Sequence, residues 1–198
     1  MKNKFIVIEG CDFTGKSSVI ETLVNTLVLG GIECVPTKAL GGTEYGDKCR
    51  DYVMKNSGKV PNSFILDKMI ESMQYMNDER LLHAQKDGDF VVCDRYYYST
   101  IVYQGICQNA LEIVEERLSK ANLIEPDLTF ILDCSTEEIL RRKSARNETN
   151  SLDPKDKEGI DKIREGYLTL AHRENTVLIE VGGKTIDEIC EKILSYCA

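Results

Sequence analysis

Phe5-Ile6-Val7-Ile8-Glu9-Gly10-Cys11-Asp12-Phe13-Thr14-Gly15-Lys16-Ser17-Ser18 is the stretch on which the reading of this chain turns. The apolar run Phe5–Ile8 has the composition of a buried strand. The pattern G-x-x-x-x-G-K-S follows from Gly10 to Ser17. Val19, Leu23 and Leu27 then recur at helical spacing until Gly30-Gly31 stops them. A chance glycine-rich turn is the competing reading, but a strand before the motif and a helix after it are the context of a phosphate cradle. The glycines let the backbone wrap an anion with no side chain in the way, and the loop N–H groups and the helix N-terminus point at it. In that geometry Lys16 reaches the β- and γ-phosphates of ATP, and the Ser17 hydroxyl takes a Mg²⁺ position.

Outward from this motif, apolar runs and amphipathic stretches alternate. Short strands are predicted at Cys34–Pro36, Phe90–Cys93, Leu128–Asp133 and Val177–Val181. Helices are predicted at Glu44–Lys55, Ser63–Lys86, Thr136–Arg146, Lys155–Asn175 and Thr185–Ser195. Another helical stretch, Tyr98–Lys120, is interrupted near Asn109. Strands separated by helices imply right-handed crossovers and a parallel sheet covered on both faces. The expected fold is therefore α/β: three layers, with a five-stranded parallel sheet between helices, over 1–198 as a single domain. Ligands of such sheets bind beyond the carboxyl ends of the strands.

The chain has 198 residues, 42% of them hydrophobic, enough for one ordinary core. With 25 Lys and Arg against 33 Asp and Glu, the net charge is −8, which argues against a nucleic-acid partner. A pocket can still be locally positive, so nucleotide substrates remain compatible with it. No apolar run is long enough to span a membrane. The 8 cysteines include no C-x-x-C pair, and several lie in strand-like runs. Met1–Glu9 leads straight into a strand, unlike a signal peptide. Reduced, mostly buried thiols and a cytoplasmic location are expected.

Two further clusters carry charge to the expected site. Asp94-Arg95 ends a buried strand, where Asp94 can hold Mg²⁺ through water and Arg95 can fork onto phosphate oxygens. A solvated strand end with a surface ion pair is the alternative. The next residues, Tyr96 to Gly105, mix tyrosines with Ser99, Thr100 and Gln104, which suits either a base and sugar pocket or an aromatic helix core. Arg141, Arg142 and Arg146 end a helix before the polar stretch 147–154. They can stabilise charge on a transferring phosphoryl group from a mobile lid at about 142–155, or simply complement the helix dipole.

Together these blocks resemble thymidylate kinases, nucleoside monophosphate kinases that make dTDP from dTMP and ATP. The resemblance runs through Phe5–Asp12, Asp94-Arg95-Tyr96 with Ser99-Thr100 and Tyr103-Gln104-Gly105, Pro126–Asp133 with Glu137-Glu138 and Arg141-Arg142, and Gly166–Ala171. It implies catalytic roles for Lys16, Asp94, Arg95 and Arg146. ATP and its phosphates fall to Gly10, Asp12, Phe13, Thr14, Gly15, Lys16, Ser17, Ser18 and Arg142. It implies that Asp12 and Arg95 approach the dTMP phosphate, that Ser99, Thr100 and Gln104 face the thymine, and that Tyr103 lies by the sugar. It also implies Mg²⁺ at Ser17 and Asp94, and a homodimer.

Phe13 stands where some relatives carry an arginine, which implies that the lid supplies the transition-state charge. Lys38-Ala39-Leu40 replaces the usual Arg-Glu-Pro, and Met69 and Met73 align with the usual phenylalanine and arginine of the acceptor side. Lys38, Arg50, Met69 and Met73 are therefore the remaining dTMP-site candidates. These departures leave a second reading open, a kinase for another deoxynucleoside monophosphate such as dUMP or a modified pyrimidine nucleotide. A nucleotide-dependent binding switch is a third, against which the tyrosine block and the lid arginines argue.

Overall fold

The computed structural model describes residues 4–146, 154 and 156–197; of Arg146 it describes the backbone only. The strands are β1 (Phe5–Glu9), β2 (Cys34–Lys38), β3 (Phe90–Asp94), β4 (Leu128–Asp133) and β5 (Thr176–Glu180). All pair in parallel, in the order β2-β3-β1-β4-β5. The register sets Ile8 opposite Asp94, so the carboxyl ends of β1 and β3 meet at one place, while Ile8 faces Phe130 within β4. The α/β class, the five strands and their parallel pairing are as the sequence predicts.

Alternation along the central strands divides the core. Ile6, Ile8, Phe90 and Val92 belong to one cluster with Val19, Leu23 and Leu27 of α1 (Lys16–Leu29) and Ile189 and Ile193 of the last helix. Phe5, Val7, Val91 and Cys93 belong to a second cluster with Met73, Met76, Leu81 and Ala84. Helices cover both faces, which is why these strands read as continuous apolar runs.

The long helix predicted over Ser63–Lys86 is a rod in three parts: α3 (Asn62–Met76), a π-helical turn at Asn77–Leu81, and α4 (Leu82–Asp87). Asn77 is buried in that turn, accepts from the Tyr96 hydroxyl at 2.8 Å and donates to the Asn122 carbonyl at 3.5 Å. A buried amide held on two sides is a sufficient reason for the local change of pitch. α2 spans Glu44–Asn56. After β3 the chain forms α5 (Tyr97–Thr100), a π-helical segment (Ile101–Ile106) and α6 (Leu111–Ser119), with the break at Asn109, which lies at φ 53. α7 spans Thr136–Arg146. α8 spans Lys157–Leu170; it starts later than predicted because Asp156 caps it by accepting from the Gly159 amide, and it also ends earlier, with Ala171 at its C-cap. Ile186–Cys197 is α9.

Candidate functional site

The loop after β1 turns on residues with positive φ: Gly10 at 132°, Phe13 at 67° and Gly15 at 96°. Such alternation of hand is the geometry of an anion nest. Gly10 is obligatory for a second reason, since a Cβ there would lie 2.3 Å from the Leu132 carbonyl oxygen. Lys16 opens α1, is only 7% exposed, and folds its ammonium back onto the loop. It donates to the Cys11 carbonyl at 2.7 Å and stands 3.8 Å from Asp12 Oδ1. The Thr14 hydroxyl donates to the same carbonyl at 3.0 Å. Ser17 is exposed and Ser18 half-buried, both on the first turn of α1.

Arg95 lies across this loop. Its Nη2 donates to Asp12 Oδ1 at 2.5 Å, and its Nη1 donates to the Ser99 and Tyr167 hydroxyls at 3.0 and 2.7 Å. Its guanidinium also stands over the Tyr103 ring, 5.6 Å from the centroid. Burial works against the charge, but Tyr167, Tyr103, Asp12 and Glu9 together hold the Arg95 pKa above its ordinary value. Asp94 precedes it at the end of β3. Its Oδ1 is buried and has no hydrogen-bond partner among the described residues. A buried anionic oxygen without a donor fits a group that faces a hydrated cation. Among the described residues there is no cluster of three or more His, Cys, Asp or Glu suited to hold a metal. An ion held near Ser17 and Asp94 would have to take most of its ligands from phosphate and water.

Beside Arg95 opens a cleft of about 410 Å³. Asp12 and Arg95 stand in its wall with Ser99, Thr100, Tyr103 and Gln104. Leu40, Val53, Met54, Met69 and Met73 give it an apolar side, and Arg50 lies at its rim with Nη1 3.5 Å from the Leu40 carbonyl. Methionine thioethers against flat aromatic or heterocyclic groups are favourable contacts. Cys107, Gln108, Lys162 and Ile163 also line the cleft, and nothing in their own sequence neighbourhoods singles them out. Lys38 does not line the cleft; its ammonium is 3.7 Å from Asp47 Oδ1. Met73 is 1% exposed and packs with Met76 and Ala39, so its place in the fold is that of a core residue reaching the wall.

On the other side of the loop, Arg142 is tied to Glu138 by a 2.7 Å ion pair and donates to the Phe13 carbonyl at 3.3 Å. Arg141 chelates the same glutamate and points into solvent. Between them the two arginines lower the Glu138 pKa to about 2. Lys143 lies over the Phe13 ring and donates to the Pro154 carbonyl at 2.9 Å. The Arg146 side chain and 147–153 and 155, the body of the expected lid, lie outside the described residues. On the far side of those residues, Arg164 of α8 forms a bidentate pair with Asp133 at the end of β4, both bonds 2.8 Å. Sequence reading did not find that pair, nor the buried Glu9 described below.

A five-stranded parallel sheet with a phosphate loop after its central strand defines the class as a P-loop kinase fold. The sequence profile described as "Thymidylate kinase" matches residues 8–193. Proteins named thymidylate kinase match nearly the full length. The one from Chlamydia caviae is 32% identical, covering 96% of this chain and 95% of its own. That from Carboxydothermus hydrogenoformans is 31% identical, with 99% and 97% covered, and that from Caldicellulosiruptor saccharolyticus is 33% identical, with 98% and 95% covered. The chain belongs to the thymidylate kinase family, whose members are nucleoside monophosphate kinases.

Proposed function

We propose that this chain transfers the γ-phosphoryl group of ATP to dTMP, giving ADP and dTDP, with Mg²⁺ as cofactor. The observation that carries the proposal is a shared pair: Asp12 belongs to the phosphate loop and, bridged to Arg95, also lines the cleft. A donor held by the loop and an acceptor held in the cleft therefore meet at one guanidinium. In the reaction, an oxygen of the acceptor monophosphate bonds to the γ-phosphorus while the bond to the β–γ bridging oxygen breaks. Lys16 leaves the Cys11 carbonyl for the β- and γ-phosphates, and Arg142 approaches them from the Phe13 side. Arg95 orients the acceptor phosphate, and Arg146 joins from the lid at about 142–155. The residues do no covalent chemistry; they position the reactants and neutralise charge. Mg²⁺, held at Ser17 and through water by Asp94, supplies further neutralisation of the phosphate oxygens when bound.

Ser99, Thr100 and Gln104 offer hydroxyl and amide groups to a pyrimidine, while Met69 and Met73 offer it an apolar face. Tyr103, also in the wall of the cleft, is the residue we assign to the sugar edge. Arg50 supplies cationic charge at the rim, whereas Lys38 must first leave Asp47 to contribute. We place the protein in the cytoplasm, because its described cysteines are all free and mostly buried. We also propose a homodimer, argued in the Discussion. The test is ADP release from ATP across a set of nucleoside monophosphates, with and without magnesium. dTMP should give the highest kcat/KM, and chelating the metal should stop turnover. A flat profile, or a clear preference for dUMP or another acceptor, rejects the dTMP assignment.

A further inference from the structure

Glu9 ends β1 with 0% exposure, a carboxyl group fully buried at the strand's end beside the phosphate loop. Its Oε1 accepts from the Tyr96 and Ser99 amides at 2.7 and 3.1 Å. Its Oε2 accepts from the Ser99 hydroxyl at 2.7 Å and the Tyr167 hydroxyl at 3.1 Å. No ion pair joins it directly to Arg95 among the described residues. The connection runs through the two hydroxyls, which are the partners of Arg95 Nη1.

A guanidinium only donates, so both hydroxyls must present lone pairs to Arg95 and send their own protons elsewhere. Ser99 and Tyr167 are 2.9 Å apart, so a proton can lie between them, but that chain still needs an acceptor at its end. Glu9 Oε2 is the acceptor within reach of both. The same residue holds the main chain that follows Arg95. Arg95 leaves β3 at φ 63, and the amides of Tyr96 and Ser99 are both held by Glu9 Oε1.

We infer that Glu9 is a positioning residue for the acceptor site: it orders the protons of Ser99 and Tyr167 so that both accept from Arg95, and thereby fixes the guanidinium that meets the acceptor phosphate. The role of the acceptor phosphate rests on the function proposed above; the ordering of Arg95 does not. Burial opposes ionisation of Glu9 and raises its pKa, while Arg95 and the surrounding donors act the other way.

Glu9→Gln tests this with little change of shape. The amide oxygen keeps the two backbone bonds, but the NH₂ that replaces Oε2 donates to Ser99 and Tyr167 and turns their protons toward Arg95. The first readout needs no ligand: ¹⁵N-edited NMR of the Arg95 guanidinium. The native protein should show separate, slowly exchanging Nη protons, and Glu9→Gln should average them. The second is titration with dTMP and, separately, with magnesium ATP. Glu9→Gln should weaken dTMP binding roughly tenfold to a hundredfold, the scale of a hydrogen bond to a charged group, and leave ATP binding within about twofold. In an Arg95→Lys background the same substitution should have little further effect. Tyr167→Phe, which keeps the buried ring, should show the same pattern more weakly and serves if Glu9→Gln does not fold.

Unchanged Arg95 signals in Glu9→Gln overturn the inference. So does a dTMP loss equally large with Lys at position 95, which would indicate a purely structural role. If the NMR result holds but the native protein does not bind dTMP, the positioning role stands and the functional proposal falls.

Discussion

Arg95 sits at φ 63, a region that costs a non-glycine residue about 1–2 kcal/mol, and its side chain is held by Asp12, Ser99 and Tyr167. Strain of this kind persists where the surroundings over-determine the conformation, and here it aims a guanidinium out of a strand end into a cleft. Lys16 is the counterpart on the donor side, buried and resting on its own loop carbonyl. Its charge is needed only when phosphate displaces that carbonyl. Lys16→Ala should therefore fold normally but lower kcat roughly 10²–10³-fold, as loss of a preorganised charge-stabilising group does. Turnover within about threefold of native would remove Lys16 from the mechanism.

What is legible at this scale is local: G-x-x-x-x-G-K-S is readable because its parts lie a few positions apart, and Asp94-Arg95 because the pair ends an apolar strand, although Arg95 finds Asp12 and Tyr167 83 and 72 positions away. Glu9 and Tyr167 are 158 positions apart, and nothing in either neighbourhood announces the other. The one hint was a glutamate ending an otherwise apolar strand. Likewise, Lys38 drew interest for its charge, but Asp47 holds it away from the cleft lining.

At the scale of elements, Leu128–Asp133 and Thr136–Arg146 match their predicted limits, because Pro126-Asp127 and Ser135-Thr136 mark their starts by local chemistry. The three-part rod from Asn62 to Asp87 has the sequence pattern of one helix, since the contacts of its π turn come from Tyr96 and Asn122 of distant elements. Apolar side chains left outside the core also belong to this scale. Phe64 of α3 is 55% exposed and Ile113 of α6 57%, and Tyr75 stacks on Tyr45 of α2 at 4.1 Å while remaining exposed. Exposed apolar groups mark an interaction face where they form a contiguous patch. We propose that α3 and α6 pack on a second copy of the chain. Sedimentation should show a dimer that Phe64→Glu with Ile113→Glu converts to monomer. A native monomer at micromolar concentration would contradict the proposal.

The whole molecule carries a net charge of −8, yet Lys16, Arg95 and Arg142 gather at one end of the sheet, with Arg50 and Lys162 at the cleft. An acidic body with a cationic mouth suits anionic substrates without favouring nucleic acid. No helix among the described residues is long and apolar enough to cross a membrane. Sheet order brings the donor loop after β1 beside the arginine after β3, because those strands are neighbours. The central claim is that this adjacency moves a phosphoryl group directly from one nucleotide to the other. The most direct measurement is to incubate the protein with γ-³²P-labelled ATP, magnesium and dTMP, and to separate the products. The label should appear in dTDP, one equivalent per ADP formed, with negligible inorganic phosphate. Label released as free phosphate at the same rate whether or not dTMP is present would contradict it.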